Sequence, residues 1–313
     1  MKNKILYLGP KSHLEFLEKM LLDFVIINAN DEVNVDNYIS DCQVIFDAYM
    51  KVEFSKQRLF KAKNLKLFIT ATTGFSHINK TYLDQNNIPL YTLADQKHVT
   101  AGLTAAAEHT WLLLMSVARK LTSAFNHVMD YNWDRNIFPG LMFKGKTLGI
   151  IGCGRIGGWM SKYANGFGMN VIGYDLNEIN EEYKIKYCDI DELLSISDFV
   201  SINVPLNNQT TNLLSESKLK LLKKSAVLVN TSRGEVLDEN FLLHMLKNKL
   251  IGGAGLDVLI GEPNINNHPL INYAKSNDNL IITPHIGGFS PESLEIVFDF
   301  SAKRIKEFFN ESY

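Results

Sequence analysis

Cysteine is scarce in this sequence: Cys42, Cys153 and Cys188 stand far apart in a chain of 313 residues. They form neither a CxxC pair nor an even-numbered disulfide framework, so a cystine-stapled scaffold is excluded and a reducing, cytoplasmic setting is expected. The same spacing gives a cysteine-held metal no support, and no metal is expected. Long apolar runs are missing as well. No stretch approaches about 18 uninterrupted apolar residues, the rough minimum for a membrane span, and the opening MKNKILYLGP has neither a signal-peptide core nor a cleavage site. Charge of one sign is not in excess. The 32 Lys and Arg against 34 Asp and Glu leave a formal net charge of -2, which speaks against a nucleic-acid surface driven by bulk charge. Low-complexity tracts and repeats at solenoid periods are also absent.

What is present is core-forming material. Apolar residues make up 46% and charged residues 21%, which excludes disorder and suits a small-molecule partner. The length suits two domains of roughly 150 residues each. From Lys4 to Leu93, short apolar runs (KILYLG, FVIINA, QVIFDAY, LKLFITA, IPLYTL) alternate with polar, helix-compatible stretches, which predicts βαβ units and a parallel sheet. The first polar interval opens on Ser12 to Glu15, SHLE, a capping-box pattern. Thr100 to Leu121 lacks proline and places Leu103, Ala107, Trp111, Leu114 and either Val117 or Ala118 near helical spacing, so one long helix is expected, either bridging two domains or lying in a core.

After the Pro139-Gly140 loop a second alternating series begins at Lys146, with strands expected at TLGIIG, NVIGYD, DFVSINV, AVLVNTS, GGAGLDV and LIITPH. Helices expected between them include SESKLKLLKK and DENFLLHMLKN, the latter with Asp238 as N-cap. The closing amphipathic segment, PESLEIVFDFSAKRIKEFFN, reads as a helix that returns to the first domain.

Within TLGIIGCGRIGG a strand runs into Gly152, Gly154 and Gly157 at GxGxxG spacing, and a helical stretch follows. Such glycines let the chain turn tightly, admit a pyrophosphate to the backbone and pack the helix against the strand, while the helix N-terminus offers unpaired N-H groups. By itself the spacing also fits a plain glycine turn. The next strand, NVIGYD, ends at Asp175, where a carboxylate accepts ribose hydroxyls and repels a 2'-phosphate, so NAD is favoured over NADP.

Arg233 follows AVLVNTS, Glu262 follows GAGLDV, and His285 closes LIITP. Each lies at the carboxyl end of an expected parallel strand, and in an open doubly wound sheet those ends line the ligand crevice. Arginine's fork suits a carboxylate and keeps its charge at any working pH. Histidine exchanges a proton with a carbonyl oxygen, and a glutamate on its other ring nitrogen fixes the tautomer. Each of the three, taken singly, also fits a salt bridge, a turn or a structural role. His109 reads as a helix residue and His77 as a loop residue, and neither is given chemistry.

The motifs AAAEHT, GKTLGIIGCGRIG, VIGYD, INVPLNNQTTNLL, VNTSRGEVLDE, GAGLDVLIGEP and TPHIGG, in this order, resemble those of the D-isomer-specific 2-hydroxyacid dehydrogenase family. The resemblance covers nearly the whole chain and is clearest from Thr100 to Gly288. It implies an α/β fold of two Rossmann-like, doubly wound parallel-sheet domains. The resemblance implies an NAD-binding domain of residues 100-285 inserted into a discontinuous substrate domain of residues 1-99 and 286-313. It implies Arg233 on the substrate carboxylate, His285 as acid and base, and Glu262 as its partner. Thr73 and Gly74 would add backbone donors for the carboxylate. Arg155 and Ile156 would join the glycines at the pyrophosphate and Asp175 at the ribose, with Val204, Thr231 and Asp257 flanking the nicotinamide.

A homodimer through the Thr100 to Leu121 helix is implied too. The expected reaction is NAD-dependent interconversion of a 2-oxo acid and a D-2-hydroxy acid, as in glyoxylate or hydroxypyruvate reductases, 3-phosphoglycerate dehydrogenases or D-lactate dehydrogenases. The alternatives are a non-enzymatic NAD-sensing regulator on the same fold, and a formate or phosphite dehydrogenase, of which Glu262 disfavours formate. Ser76 and the HIN that follows it depart from the family's pattern, and Cys153 replaces a larger apolar residue. With the sequence ending at Tyr313, the regulatory extension of many phosphoglycerate dehydrogenases is not expected.

Overall fold

The structure, a computed structural model, describes residues 2–75, 77–94, 96–177 and 181–310; Ser76 and Tyr313 lie outside the described residues. Contacts divide the chain into two compact units, Met1–Leu103 with Ser290–Tyr313, and Thr104–Phe289.

The first unit carries β1 (Asn3–Leu8), β2 (Phe24–Asn28), β3 (Val44–Asp47), β4 (Leu67–Thr70) and β5 (Leu90–Tyr91), paired in parallel in the order β2-β1-β3-β4-β5. Successive side chains on a strand point to opposite faces. Ile5 and Tyr7, Val44 and Phe46, and Leu67 and Ile69 therefore enter one apolar cluster, while Leu6, Leu8, Ile45 and Phe68 enter another. With both faces covered, the strands read as continuous apolar runs. The helix Pro291–Asn310 covers one face, burying Val297, Phe298, Ala302, Ile305 and Phe309, with the Phe298 ring edge-on to Tyr7 and Phe46.

The second unit carries β6 (Thr147–Ile151), β7 (Asn170–Tyr174), β8 (Lys186–Tyr187), β9 (Phe199–Ile202), β10 (Val227–Asn230), β11 (Gly253–Leu256) and β12 (Leu280–Ile282). All pair in parallel, in the order β12-β11-β10-β9-β6-β7-β8. After β6 the chain adds β7 on one side and then returns to place β9 on the other. That reversal opens a crevice at the carboxyl ends of β6 and β9. The helix Ala105–Ala118 buries Trp111, Leu113, Leu114 and Val117 on one face, and the helix Glu239–Lys247 buries Leu242, Met245 and Leu246 on the other. Asp238 caps the latter by accepting the Phe241 N-H.

Three local expectations differ from the structure. The Thr100 to Leu121 helix is broken: a short helix, Lys97–Thr100, and the Gly102 region precede Ala105–Ala118, and Lys120, at φ +52°, separates it from a further helix, Leu121–Met129. Helical spacing alone does not register a left-handed residue. Ser12 is no cap either. The turn at Pro10 draws it into a 3-10 segment, Lys11–His13, and the helix starts at Leu14, with Ser12 bonded to His13 and Glu15 to Lys19. Of SESKLKLLKK only Glu216–Leu219 is helical. Among the described residues no helix is long and apolar enough to cross a membrane.

Leu228, at the centre of β10, is 0% exposed. Leu228→Ala should lower unfolding stability by about 2–5 kcal/mol in chemical denaturation. A loss under about 0.5 kcal/mol, the range of surface changes, would contradict its place in a closed core.

Candidate active site

At the end of β6, Gly152 has φ +92°, and a Cβ there would lie 2.8 Å from the Asn203 backbone and 2.9 Å from Val204 Cγ1. Only glycine meets both conditions. Gly154 then caps the helix Arg155–Gly166, and no atom lies within 4 Å of where its Cβ would stand. Gly157 is the opposite case. Its Cβ would fall 2.2 Å from the Gly152 carbonyl oxygen, so the helix start rests directly on the strand end. Open space over unpaired helix N-H groups fits the pyrophosphate of a dinucleotide. Asp175, just past β7, is fixed beside this turn: its carboxylate accepts the Cys153 N-H at 2.7 Å and the Asn177 N-H at 3.2 Å. The Cys153 thiol is buried, and burial, with the nearby Asp175 charge, pushes its pKa up to about 12, so it stays protonated and unreactive.

The ends of β10, β11 and β12 adjoin. Asn230, fully buried, closes the turn after β10: its Oδ1 accepts from Ser232 N-H at 3.0 Å and Oγ at 2.8 Å, and its Nδ2 donates to the Arg233 carbonyl at 2.8 Å. The Arg233 guanidinium donates to the Ser232 carbonyl at 2.7 Å and makes no ion pair among the described residues. Thr231 donates to Thr110 at 2.6 Å, whose own proton goes to the Ala106 carbonyl. Gly234 packs so closely that a Cβ would lie 2.3 Å from the Ile260 nitrogen, which sets the turn after Arg233 against the loop that leads to Glu262.

Glu262 Oε1 lies 2.5 Å from His285 Nδ1, and Oε2 accepts the Leu259 N-H at 3.3 Å. His285 has φ +54°, a left-handed conformation that is uncommon outside glycine and that clusters at functional sites. It is held there by its neighbours. Its N-H donates to the Asp257 carbonyl at 2.8 Å, and the Asp257 carboxylate, 1% exposed, accepts from Thr283 Oγ1, Ile286 N-H and Gly287 N-H at 2.6, 2.9 and 2.7 Å. His109 Nε2 adds contacts to Thr283 Oγ1 at 2.9 Å and to Asp257 Oδ1 at 3.3 Å. Burial works to raise the proton affinity of Asp257, but the bonds from His109, Thr283, Ile286 and Gly287 outweigh it and hold the carboxyl below the usual range.

A further acid lies behind this loop. Glu239 accepts the Ile260 N-H at 3.0 Å and lies 3.1 Å from His268 Nε2. Burial pushes its pKa up to about 7, with Glu235 and Glu262 adding to the rise and the Ile260 N-H opposing it, while burial draws His268 down.

The structure thus brings His285 and Glu262 into contact and sets Arg233 at the end of a neighbouring strand. Val204 stands beside Gly152, and Arg155 and Ile156 form the first turn of the helix. Thr73 and Gly74 follow β4 in the first unit, where Thr72 Oγ1 donates to the Gly74 carbonyl. His77, read as a plain loop residue, lies 2.6 Å from the buried carboxylate of Asp47. Asn230, Thr283, Glu239 and His268 support the site without having been singled out from sequence, and His109, read there as a plain helix residue, joins them. His109 and Thr283 are 174 positions apart, a pairing that no local spacing reveals.

A parallel sheet with a glycine turn at its reversal point and an imidazole–carboxylate pair on the same carboxyl edge defines a dinucleotide-dependent oxidoreductase. Residues 111–287 match the family profile described as "D-isomer specific 2-hydroxyacid dehydrogenase, NAD binding domain". The chain is 36% identical over 264 residues to a glyoxylate reductase of Thermococcus litoralis, covering 81% of this chain and 76% of that one. Among solved structures it is similar to a D-lactate dehydrogenase of Aquifex aeolicus complexed with NAD and lactic acid, at 28% identity and TM-score 0.86, covering 99% of this chain and 96% of that one. An NAD-dependent formate dehydrogenase of Staphylococcus aureus in complex with NAD is similar at 25% identity and TM-score 0.87, covering 99% and 96%. The chain belongs to the D-isomer-specific 2-hydroxyacid dehydrogenase family and is an NAD-dependent enzyme of that class. These named relatives are enzymes, and the non-enzymatic alternative gains no support from them.

The raised proton affinity of Glu239 has a consequence for stability. Its folded-state pKa of about 7 lies above its ordinary value of 4.5, so between them the folded chain binds more protons than the unfolded one. The stabilising contribution is fully present below pH 4.5 and is lost as pH rises through about 7. Glu239→Gln lacks this dependence. Thermal unfolding should therefore show the variant gaining on wild type by on the order of 2 kcal/mol between about pH 5 and pH 8; a gap independent of pH would refute the assignment.

Proposed function

We propose that Arg233, His285 and Glu262 carry the chemistry by which this enzyme reduces a short 2-oxo acid to the D-2-hydroxy acid with NADH. The observation that carries the reading is Arg233, without an acidic partner among the described residues, one strand away from the loop of an imidazole–carboxylate pair. The planar guanidinium binds the substrate carboxylate through two parallel hydrogen bonds. Bound NADH supplies a hydride to the keto carbon. With Nδ1 held by Glu262, His285 presents Nε2 to the keto oxygen, gives it a proton as the carbonyl bond is reduced, and takes the proton back in the reverse direction. Asp257 holds the His285 loop, Asp175 takes the adenosine ribose, and Val204 and Thr231 border the nicotinamide. In this reading the second unit is the NAD-binding domain and the first, with the Thr73–Gly74 turn, serves the substrate.

Glyoxylate is the first substrate to test, since the relative quoted above from Thermococcus litoralis is a glyoxylate reductase. Pyruvate, hydroxypyruvate, a branched 2-oxo acid and 3-phosphohydroxypyruvate complete the panel. A cytoplasmic setting is supported by three cysteines that stand as unbridged thiols.

A homodimer is part of the same reading. The helix Leu121–Met129 buries none of its residues within its own chain, and Leu121, Phe125, Met129, Trp133 and Met142 are all more than half exposed. An isolated helix this short is marginal in water, and an apolar patch of this kind marks an interface. A second copy offers the same patch under twofold symmetry. Leu112, within the Thr100 to Leu121 segment, is also 54% exposed, so the reading takes in both the segment that the family resemblance implies and the helix that follows it.

Steady-state kinetics should show His285→Ala lowering kcat by about 100- to 10,000-fold with NADH affinity unchanged. Arg233→Ala should raise KM for the 2-oxo acid by about 100-fold and lower kcat as well. Wild-type turnover by the His285 variant would remove its role. In size-exclusion chromatography with light scattering, the native chain should run at twice its own mass and Phe125→Glu at the monomer mass; a native monomer would end the dimer reading.

A further inference from the structure

The acid–imidazole pair behind the Glu262 loop takes no part in the chemistry described above. Glu239 opens the helix Glu239–Lys247, is 8% exposed, and spans two partners, the Ile260 N-H through Oε1 and His268 Nε2 through Oε2. Ile260 lies two residues before Glu262, and Leu259 donates its N-H to Glu262 Oε2. Gly234, next to Arg233, packs on the same Leu259–Ile260 peptide. One carboxyl group thus anchors backbone shared by both functional turns.

Besides the buried Leu259 side chain, 4% exposed, and a long bond from the Glu262 N-H to the Leu259 carbonyl at 3.4 Å, little holds the loop at this point. The Ile260 side chain is 43% exposed, and Gly261, the link to Glu262, has φ +84° and the conformational freedom of glycine. His268 Nδ1 is buried without a hydrogen-bond partner among the described residues. A buried N-H with no acceptor is less tolerable than a lone pair with no donor, so the ring carries its proton on Nε2 and donates it to Glu239. A buried acid flanked by Glu235 and Glu262 opposes folding when ionised, as its raised proton affinity records. An apolar residue would avoid that opposition, yet it would leave the Ile260 N-H without an acceptor.

We propose that Glu239 is a positioning residue for the Glu262–His285 pair: backed by His268, it holds the Ile260 N-H and so fixes the loop that delivers Glu262 to the imidazole. The proposal rests on the assignment of Glu262 and His285 to acid–base chemistry. Glu239→Ala removes the acceptor; Glu239→Gln keeps an oxygen at the same reach.

Amide hydrogen–deuterium exchange on the full chain should show the 259–262 segment exchanging about 10-fold faster in Glu239→Ala, near the wild-type rate in Glu239→Gln, and strands β10 and β11 unchanged in both. With NADH and the best 2-oxo acid of the panel, kcat should fall about 10-fold in Glu239→Ala, with both KM values within about 3-fold, and Glu239→Gln should recover most of it. Unchanged exchange in the 259–262 segment overturns the proposal. So does a joint loss of kcat, KM and protection across the whole unit, which makes Glu239 a residue of the fold alone. If Glu239→Ala does not fold, His268→Ala tests the link from the other side, and wild-type loop exchange there is equally fatal. If the wild-type protein reduces no 2-oxo acid, the functional reading fails, and the exchange rates still decide whether Glu239 holds the loop.

Discussion

Asp257 is the residue on which the geometry of the site depends. Its N-H donates to the Asn230 carbonyl at 2.9 Å and its carbonyl accepts the His285 N-H at 2.8 Å, so the backbone runs stitched from the end of β10 across β11 to β12. Its carboxylate then gathers a threonine hydroxyl and two successive N-H groups of the turn that follows His285. Burying a charge is costly unless every lone pair finds a donor. Here the donors are provided, and the same bonds that make the charge tolerable hold His285 in its left-handed conformation, itself unfavourable by on the order of 1–3 kcal/mol. Without that anchor the imidazole would have no fixed approach to Glu262.

Much of this was legible in the sequence because it depends on local grammar. The apolar runs are strands, since a parallel sheet covered on both faces requires continuous burial, and Arg233, Glu262 and His285 fall at carboxyl ends because each follows such a run. Gly152 and Gly157 were readable for steric reasons that hold wherever a strand feeds a helix over a phosphate. What was not legible depends on distance along the chain. His109 looks like any polar helix residue until Asp257 and Thr283, far away in sequence, are seen beside it. Glu239 looks like a helix-start acid that favours the dipole, a role that any first-turn carboxylate satisfies; its contact with Ile260 exists only in three dimensions. The broken helix around Lys120 escaped for a different reason, since side-chain periodicity carries no record of one residue's backbone sign.

Three carboxylates within this one sheet edge show how environment, not residue type, sets the task. Asp257 is buried among donors and is held ionised as an anchor. Glu239 is buried among acids with a single N-H and one imidazole, and its proton affinity rises to about 7. Glu262 stands nearer solvent, with one oxygen on its own loop and the other on His285. Interchanging their surroundings would interchange their chemistry, since desolvation and hydrogen bonding act in opposite directions on the same functional group.

The arrangement also explains why Arg233 can remain without an acidic partner so close to so much negative charge. Asp257 and Glu239 are each held by their own donors, and Glu262 is directed to the imidazole, so these three carboxylates are committed elsewhere. Among the described residues the guanidinium is anchored to the Ser232 carbonyl, one bond out of five possible donors. An internal ion pair at this point would neutralise the cation and oblige a substrate anion to displace a carboxylate before it could bind. By pairing these acids with backbone amides, a threonine and histidines, the fold keeps the Arg233 cation available for an anion that arrives from outside.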